Sequence, residues 1–473
     1  MDATELCFTP ATELAARIRR KELSPVEVFD AFAARIEALN PKLNAFCTLV
    51  LDRAREEARQ AEAAVMRGDP LGPIHGLPVG IKDLVPTAGI RTTFGSKLYA
   101  ENVPQADAEV VRRIRAAGGI IVGKTTTPEF GHKGVTDSPL FGVTRNPWNP
   151  DRTPGGSSGG AGAAVAAGMV PLAQGSDGGG SIRIPASFCG IFGHKPSYGL
   201  VSRAPTLDYF TTLSHLGPMT RTVADGVLFL KAMAGYDPKD PYSLPFPTEH
   251  LDDALAGAES LRGLRVAWSP TLGYAPVEPE VLEITAGAVR AFEELGAVVE
   301  EADPGFENPL PAFEVLFGTL LAVQVVDYLP QRRDDLDPTL LKIVDRAMGF
   351  SAVDYARAQT QRSRLYERCV AFFERYDLLL TPTMPMPAFE VGVYPPRLVG
   401  GVEYDEFLGW TPFTFPFNLT NQPAATVPAG WTRDGLPVGL QIVGGPRQDL
   451  LVLRAAAAFE RARPWAHRRP PVD

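Results

Sequence analysis

The sequence predicts an α/β protein whose sheet is largely buried. Along most of the chain, short apolar stretches typical of strands alternate with segments typical of helices, which indicates a sheet covered by helices. The 473 residues are 45% hydrophobic and 21% charged, the composition of an ordinary globular protein. The region 155–199 holds 13 glycines interleaved with apolar residues, so we interpret it as packed structure and not as a flexible linker.

The region 1–67 is predicted to be helical. Ser24 is followed by Pro25 and Glu27, the pattern of a capped helix start, and apolar residues come after it at helical spacing. Helices and strands then alternate. The predicted strands are 77–81, 120–122, 264–268, 297–300, 377–380 and 438–443, and the predicted helices after residue 67 are 108–117, 280–295 and 450–461.

Charge and cysteine content exclude several functional classes. The formal net charge of −9 argues against a nucleic-acid-binding protein, which needs a basic surface. The four cysteines lie far apart without a CxxC pair, so we expect neither a disulfide scaffold nor a structural zinc site. The amino terminus has no apolar run, and the uncharged run 161–173 is too short to span a bilayer. We therefore expect a cytoplasmic protein with no membrane partner.

The segment 118–125, GGIIVGKT, matches the phosphate-binding pattern GxxxxGK[ST]. That pattern binds phosphate only when its middle residues form a loop between a strand and a helix. Here Ile120, Ile121 and Val122 predict a strand instead. We interpret the segment as a turn, a strand and a second turn, and infer no nucleotide from it.

The segment 155–160, GGSSGG, contains two overlapping GxSxG patterns of the kind found at the nucleophile of α/β-hydrolases. That interpretation needs a strand before the serine and a histidine later in the chain. The preceding 149–154 is a poor strand, and none of His194, His215, His250 and His467 has a context that singles it out. A GxSxG serine esterase therefore stays an alternative.

A second serine follows three consecutive glycines in the segment Gly175–Arg183. Glycines leave the backbone unobstructed, so several N–H groups can converge beside the hydroxyl of Ser181, as an oxyanion hole requires. Asp177 and Arg183 are predicted to pair and brace this loop. The alternative is a tight turn that needs glycine for steric reasons alone.

A nucleophilic serine needs a base, and lysine is the candidate because the histidines are poorly placed. Only 10 of the 46 cationic residues are lysines, and arginine does not lose its proton in proteins. Lys82 ends an apolar strand, and neighbouring strand residues point to opposite faces, so Asp83 need not be its partner. Burial without a close carboxylate would lower the pKa of Lys82. The alternative is a surface lysine at a strand end.

Together these segments resemble the amidase signature family. The segment 76–83 resembles its catalytic-lysine segment, 154–160 its Gly-Gly-Ser-Ser-Gly-Gly segment, and 175–186 its nucleophile segment. The spacings of 75 residues from Lys82 to Ser157 and of 24 from Ser157 to Ser181 also fit. Similarity continues through 189–196, 377–382, 418–428 and 435–444, so it covers nearly the whole chain.

The resemblance implies a fold and a division of the chain. The expected fold is a large twisted mixed sheet covered by helices on both sides, in one domain spanning 1–473. Within it, 1–67 would be a helical segment packed on the domain, 72–235 would hold the catalytic core motifs, and 240–410 would form a variable substrate-pocket region.

The resemblance also implies a mechanism for an amidase. Ser181 would be the nucleophile, Ser157 on a cis peptide bond would pass the proton, and Lys82 would be the base. An acyl-enzyme on Ser181 would then react with water or another amine, without metal or cofactor. The expected oxyanion donors are the N–H groups of Gly178, Gly179, Gly180 and Ser181, and the expected structural supports are Ser158, Asp177 and Arg183.

The family contains stand-alone amidases and a tRNA amidotransferase subunit that works in a complex and uses glutamine. The glutamine pocket of that subunit needs charged groups in the carboxyl-terminal half, whereas 310–420 is apolar here, with Phe313, Phe317 and Trp410 as examples. We therefore expect a stand-alone hydrolase, monomeric or homodimeric, whose small amide substrate carries an apolar or aromatic group. The glutamine amidase subunit stays an alternative.

Overall fold

The structure is a computed structural model that describes residues 2–396, 398–404 and 408–472. The N-terminal part is largely helical, as predicted, but it also contains one edge strand, which was not predicted. Ser24 caps the third helix through its side chain and Glu27 completes the capping box. The elements of this part are α1 Ala3–Cys7, α2 Ala11–Arg19, α3 Pro25–Leu43, β1 Phe46–Leu49 and α4 Leu51–Arg67.

The middle part of the chain carries the motif segments on alternating strands and helices. Its elements are β2 Pro78–Lys82, α5 Glu109–Ala116, β3 Ile120–Thr125, β4 Asp137–Ser138, β5 Gly142–Val143, α6 Gly159–Ala166, β6 Leu172–Asp177, α7 Arg183–Cys189, β7 Phe192–Lys195, β8 His215–Thr220 and α8 Val223–Met233.

The C-terminal part adds the long helices and the remaining strands. Its elements are α9 Leu251–Ala256, β9 Arg265–Trp268, α10 Pro279–Glu294, β10 Val298–Glu301, α11 Leu310–Val325, α12 Leu329–Arg332, α13 Pro338–Ala347, α14 Ala352–Phe373, β11 Leu378–Pro382, β12 Leu398–Val399, β13 Val402–Glu403, α15 Pro416–Leu419, β14 Ala424–Trp431, β15 Pro437–Gly444 and α16 Asp449–Ala462.

Within the described residues, eleven strands form one mixed sheet in the order β1-β3-β2-β6-β8-β7-β14-β15-β11-β9-β10. Strands β3, β2 and β6 are parallel neighbours, and β11, β9 and β10 form a second parallel set. The pairings between these two sets are antiparallel. The expected large mixed sheet is confirmed.

Helices cover both faces of this sheet. Ile121 packs in one apolar cluster with Val227 of α8 and Phe459 of α16. Its strand neighbours Ile120 and Val122 belong to a second cluster that includes residues of α4 and α6. Because adjacent strand residues point to opposite faces, the sheet is buried on both sides.

The segment 118–125 is a turn followed by strand β3 and not a phosphate-binding loop, as predicted. The second turn predicted at its end is instead part of the strand, which runs through Thr125. Lys124 lies at the end of β3 and is fully buried. Its ammonium group donates hydrogen bonds to the carbonyl of Val85 and to the hydroxyls of Thr87 (2.8 Å) and Thr92 (3.0 Å). Lys124 thus tethers the loop that follows Lys82.

One stretch of the described chain, Leu310–Asp335, is long and apolar enough to cross a membrane by length and composition alone, with a mean hydropathy of 1.6. Core helices of globular proteins pass the same test. Here the stretch includes α11, whose Phe313 and Leu316 pack against α14 and the sheet in one apolar cluster. This helix also reaches the candidate active site.

Candidate active site

The three motif segments meet at one edge of the sheet. Lys82 is the last residue of β2, and Asp177 is the last residue of its parallel neighbour β6. Ser157 and Ser158 directly precede α6. Parallel strands end at the same edge of a sheet, where α/β proteins place their ligands. Residues far apart in the chain are therefore neighbours here.

The amino group of Lys82 is surrounded by hydroxyl and carbonyl oxygens. Its Nζ lies 2.7 Å from Ser157 Oγ, 2.8 Å from Ser158 Oγ and 3.0 Å from Ser176 Oγ. The side chain is fully buried. Burial lowers the pKa of Lys82 well below its ordinary value, against a smaller opposing effect of the Asp177 charge. The environment therefore favours a neutral amine.

Asp83 is not the ion-pair partner of Lys82, which is consistent with the expectation that it need not be. Its carboxylate accepts hydrogen bonds from the hydroxyl of Thr93 (2.5 Å) and from the backbone N–H of the same residue. The side chains of Lys82 and Asp83 thus lie on opposite faces of the sheet. Lys82 consequently has no hydrogen-bonded carboxylate among the described residues, and such surroundings lower its pKa.

Ser157 lies between the lysine and a cavity. The Gly156–Ser157 peptide bond is cis, and the side chain of Ser157 is 2% exposed. Ser158 is oriented differently, because its hydroxyl donates to the carbonyl of Ser176 (3.1 Å) and accepts the backbone N–H of that residue (3.3 Å). Ser157 thus joins Lys82 to the cavity, and so does Ser176, whose hydroxyl lies 3.0 Å from Lys82 Nζ and which also lines the cavity.

The cavity has a volume of about 610 Å³, and both Ser157 and Ser181 line it. Ser181 is half-buried, so its hydroxyl is reachable from the cavity. Most of the other lining residues are apolar: Leu84, Val85, Pro86, Phe94, Ala108, Phe130, Pro205, Leu207, Leu213, Leu216, Phe317, Leu320, Leu321 and Val323. The predicted pocket region 240–410 supplies only residues 317–328 of this lining, and loops after β2, β3 and β7 supply much of the rest.

The predicted pair of Asp177 and Arg183 is present and fully buried, with Arg183 Nη2 2.9 Å from Asp177 Oδ1. The Arg183 charge and hydrogen bonds outweigh burial and hold the pKa of Asp177 below its ordinary value. The carboxylate also accepts the backbone N–H groups of Gly180 (2.8 Å) and Ile182 (3.1 Å). This pair therefore fixes the backbone on both sides of Ser181.

The expected set of four oxyanion donors needs one correction. The N–H group of Gly180 donates to Asp177 Oδ1 and so does not face the cavity as a free donor. The N–H groups of Gly178, Gly179 and Ser181 donate to no group within residues 2–396, 398–404 and 408–472. Of the four expected donors, these three N–H groups are therefore unpaired within the described residues.

Several residues of the site were missed by the sequence analysis. Ser176 contacts Lys82 directly. Asn418 donates to the carbonyl (2.8 Å) and carboxylate (2.8 Å) of Asp177, and Gln441 accepts from Arg183 (2.8 Å). The signal for Asn418 and Gln441 was their position in segments that resemble the family, and Ser176 lies inside the nucleophile segment itself.

The histidines do not complete a serine–histidine site. His215 Nδ1 faces the carbonyls of Leu213 (2.9 Å) and Asp177 (3.3 Å), and His194 Nε2 faces Asp449 (3.2 Å). In the part of the chain that the structure describes, no histidine is hydrogen-bonded to Ser157 or Ser158. The geometry thus favours the lysine arrangement over the GxSxG esterase.

The apolar segment in the carboxyl-terminal half divides between core and cavity. Phe313 is fully buried and stacked between Phe317 (ring centroids 5.1 Å apart) and Phe415 (5.0 Å). Trp410 is buried as well, whereas Phe317 reaches the cavity. One charged group from this segment does line the cavity, the exposed Asp327, which the sequence analysis did not single out.

Comparison with known proteins gives consistent matches over nearly the whole chain. The family model described as Amidase matches residues 27–453. An acylamidase of Rhodococcus erythropolis is 42% identical over 99% of this chain and 98% of its own length. A glutamyl-tRNA(Gln) amidotransferase subunit of Moorella thermoacetica is 39% identical over 98% of this chain and 99% of its own. The solved structure of a bacterial aryl acylamidase of the amidase signature enzymes has a TM-score of 0.92 at 33% identity and covers 97% of both chains.

Proposed function

The chain belongs to the amidase signature family and hydrolyses amide C–N bonds, and on that premise we propose that Ser181, Ser157 and Lys82 carry out the reaction. The observation that carries this proposal is the 2.7 Å contact between Lys82 Nζ and Ser157 Oγ, beside a cavity that Ser157 and Ser181 both line. A buried amine with a lowered pKa can take a proton that an exposed lysine would already hold.

The reaction begins with attack of Ser181 Oγ on the carbonyl carbon of the amide. A C–O bond forms, and the proton of Ser181 passes through the hydroxyl of Ser157 to neutral Lys82. When the C–N bond breaks, the proton returns by the same route to the leaving nitrogen, and an acyl ester remains on Ser181. Water then attacks this ester and gives its proton to the same relay. When the bond between the acyl carbon and Ser181 Oγ breaks, the proton returns to Ser181 Oγ and the carboxylic acid leaves.

The negative charge on the carbonyl oxygen would be held by backbone N–H groups of the loop after β6. Gly178, Gly179 and Ser181 supply the candidate donors, and the pairing of Asp177 with Arg183 keeps their backbone in place. Donors fixed before the reaction stabilise the developing charge without reorganisation. Ser158 has a structural role in this proposal, since its hydroxyl links Lys82 to Ser176.

The substrate we propose is a small amide with an apolar or aromatic group. Fourteen apolar residues line the cavity, Phe130 and Phe317 among them, and a pocket of this size and character suits a small apolar ligand. The acylamidase and aryl acylamidase relatives support this substrate class.

The alternative function is that of a glutamine-using amidotransferase subunit in a complex. The 39% identity to the Moorella thermoacetica protein is the observation that favours it. The two functions differ in a simple way, because an amidotransferase subunit requires partner chains. Purified alone, a stand-alone amidase hydrolyses apolar amides well and glutamine poorly.

We also propose a cytoplasmic location. The free thiols of Cys7, Cys47, Cys189 and Cys369 are consistent with a reducing compartment. Size-exclusion chromatography with light scattering measures the oligomeric state directly.

A fluorophosphonate probe tests the proposed mechanism. Mass spectrometry is expected to find the label on Ser181, and the variant Lys82→Ala is expected to slow capture by about 100-fold or more. Lys42→Ala, an exposed lysine of α3, is the matched control and is expected to be captured at the normal rate. A label on Ser157 or Ser158 contradicts the proposal. Turnover of glutamine comparable with that of anilides contradicts the proposed substrate class.

A further inference from the structure

A group of polar side chains lines the cavity outside the proposed catalytic residues. Tyr99, Gln324, Asp327 and Tyr328 form this group, which we call the tyrosine patch. Gln324, Asp327 and Tyr328 follow one another at the spacing i, i+3, i+4 where α11 passes into the 3-10 turn Val326–Tyr328, so they share one face. The patch stands out because most of the cavity wall is apolar.

Two phenol groups join distant parts of the chain at this patch. The hydroxyl oxygens of Tyr99 and Tyr328 lie 3.0 Å apart, and their rings meet edge to face at a centroid distance of 6.1 Å. Tyr99 comes from the short turn Lys97–Tyr99, after β2, whereas Tyr328 follows α11. The hydrogen bond therefore closes the cavity wall between the two segments.

This hydroxyl pair has hydrogen-bonding capacity left over. Each phenol carries one donor, and only one of the two protons can lie between the oxygens. Neither hydroxyl has another hydrogen-bond partner within the described residues. Burial and the neighbouring phenol raise the pKa of Tyr99 to about 12, so this hydroxyl keeps its proton at neutral pH. One O–H donor and several lone pairs are thus available to a ligand.

The charges near the patch are unfavourable for an anion. Asp327 is exposed and forms no ion pair within residues 2–396, 398–404 and 408–472. Asp208 also lines the cavity, and its hydrogen bonds from Thr211 and Phe210 lower the pKa of its carboxyl. Arg203 is the cationic residue among those that line the cavity, and its guanidinium donates to the carbonyls of Asp208 (2.8 Å) and Ser214 (3.2 Å). Two carboxylates thus line the cavity, together with one guanidinium whose N–H groups already donate to backbone carbonyls.

The ring of Phe130 lies next to the patch, and the residue that follows it contacts Ser157. The ring of Tyr99 packs edge-on against Phe130 at 6.0 Å. The next residue, Gly131, lies against Ser157, since a Cβ built on Gly131 would be 3.1 Å from Ser157 Oγ. The patch and Ser157 thus line one cavity and are linked through Phe130 and Gly131, so an apolar or aromatic part of a substrate can lie between them.

We propose that the tyrosine patch is a substrate subsite that binds a hydrogen-bond-donating group, an alcohol or an ammonium, carried on the far side of an apolar or aromatic ring. The subsite rests on the proposed function and names its substrate class more closely. Tyr99 and Tyr328 bind the group through their hydroxyls, and the Asp327 carboxylate accepts a hydrogen bond from it. A carboxylate at the same position is disfavoured, because it would lie beside the Asp327 carboxylate.

The test uses acetanilides and benzamides that carry a para hydroxymethyl, aminomethyl, methyl or carboxylate group. In at least one of the two series, the acetanilides or the benzamides, the wild-type kcat/KM for the aminomethyl compound is expected to exceed that for the carboxylate by about 10-fold or more. Asp327→Asn is expected to lower the aminomethyl value by about 5-fold, and Tyr328→Phe the hydroxymethyl value by a similar factor. For both variants the quantity compared is the ratio of each value to that for the methyl compound, whose substituent forms no hydrogen bond with the patch.

Asp334→Asn is the matched control, because Asp334 is an exposed carboxylate of the same region that does not line the cavity. Equal substituent preferences in wild type, Asp327→Asn and Tyr328→Phe would overturn the subsite. Fluorophosphonate capture of Ser181 is measured on the same samples. Capture with unchanged preferences refutes the subsite alone, whereas absence of capture refutes the proposed function and the subsite with it.

Discussion

Lys82 Nζ lies 2.7 Å from Ser157 Oγ in a fully buried position where no carboxylate of the described residues is hydrogen-bonded to it. The amine of Lys82 thus lies where its charged form is poorly solvated, and hydroxyl groups surround it. A lysine in such a position is costly for stability unless it becomes neutral. This environment is therefore the one expected for the proposed base, which must accept a proton during the reaction.

The first prediction concerns the pH dependence of the amidase. Because burial lowers the pKa of Lys82, the neutral base persists at a lower pH than for an exposed lysine. Below that pKa the amine is protonated, so kcat/KM should fall as the pH falls, by up to about tenfold per unit. The profile of kcat/KM against pH measures this directly.

The variant Lys82→Arg sharpens that prediction. Arginine keeps its proton throughout the accessible range, so activity should drop by about 1000-fold and alkaline pH should not restore it. Lys42→Arg on the surface of α3 should keep the wild-type profile. A Lys82→Arg enzyme with the wild-type acid limb would show that another group is the base.

Local sequence patterns predicted much of this structure. Ser24 with Glu27 marked the start of α3, and the apolar alternation before Lys82 predicted both its strand and the separate face of Asp83. The pairing of Asp177 with Arg183 followed from their isolation in an uncharged segment. The four-part division of the chain and the proton relay stay predictions.

Contacts between distant segments could not be predicted in the same way. Strand β6 lacks an apolar pattern because Gln174 and Ser176 have polar partners inside the site, so it was not predicted as a strand. Asn418 and Gln441 meet Arg183 only through the folded sheet. The hydrogen bond from the Gly180 N–H to Asp177 depends on the loop conformation, which cannot be predicted from the spacing of residues.

The second prediction separates two glycines of the proposed oxyanion loop. A Cβ built on Gly179 would lie 2.7 Å from Phe313 Cζ, whereas one built on Gly178 would meet Phe317 at an ordinary 3.5 Å. Phe313 is stacked on both faces and cannot move freely. Gly179→Ala should therefore shift the loop and lower kcat by about 10- to 100-fold, while Gly178→Ala stays within about threefold.

A second substitution tests the cause of that loss. The double variant Gly179→Ala/Phe313→Leu replaces the obstructing ring with a smaller side chain. It should restore part of kcat if the clash between the alanine Cβ and the Phe313 ring causes the loss. Phe313→Leu alone controls for the change in packing. Equal activity of Gly178→Ala and Gly179→Ala would mean that the loop tolerates both side chains and that its backbone position is not critical.

The third prediction concerns Gly131, whose backbone lies against Ser157. Gly131 has φ +69°, and a Cβ there would approach Ser157 Oγ to 3.1 Å and Leu84 Cδ1 to 2.8 Å. Gly142 has a similar φ of +73° with no atom near its built Cβ. Both alanine variants carry the cost of a left-handed backbone, about 1 kcal/mol, so their thermal stabilities should fall by similar amounts. Only Gly131→Ala should lower kcat, by about 10-fold or more. A comparable kcat for the two variants would contradict this role.

The fourth prediction concerns the buried pair of Asp177 and Arg183. Arg183→Met leaves a carboxylate without its guanidinium at a fully buried position, and Asp177→Asn leaves the guanidinium without its carboxylate. Each single variant should lose about 3–5 kcal/mol of unfolding free energy, measured by urea denaturation. The double variant should lose less than the sum, because neither charge is then left unpaired. Arg463→Met, which breaks the exposed pair with Glu294, should leave stability nearly unchanged. Additive losses in the double variant would mean that Asp177 and Arg183 act independently, through their separate hydrogen bonds to Gly180, Asn418 and Gln441, and that the ion pair itself does not hold the loop.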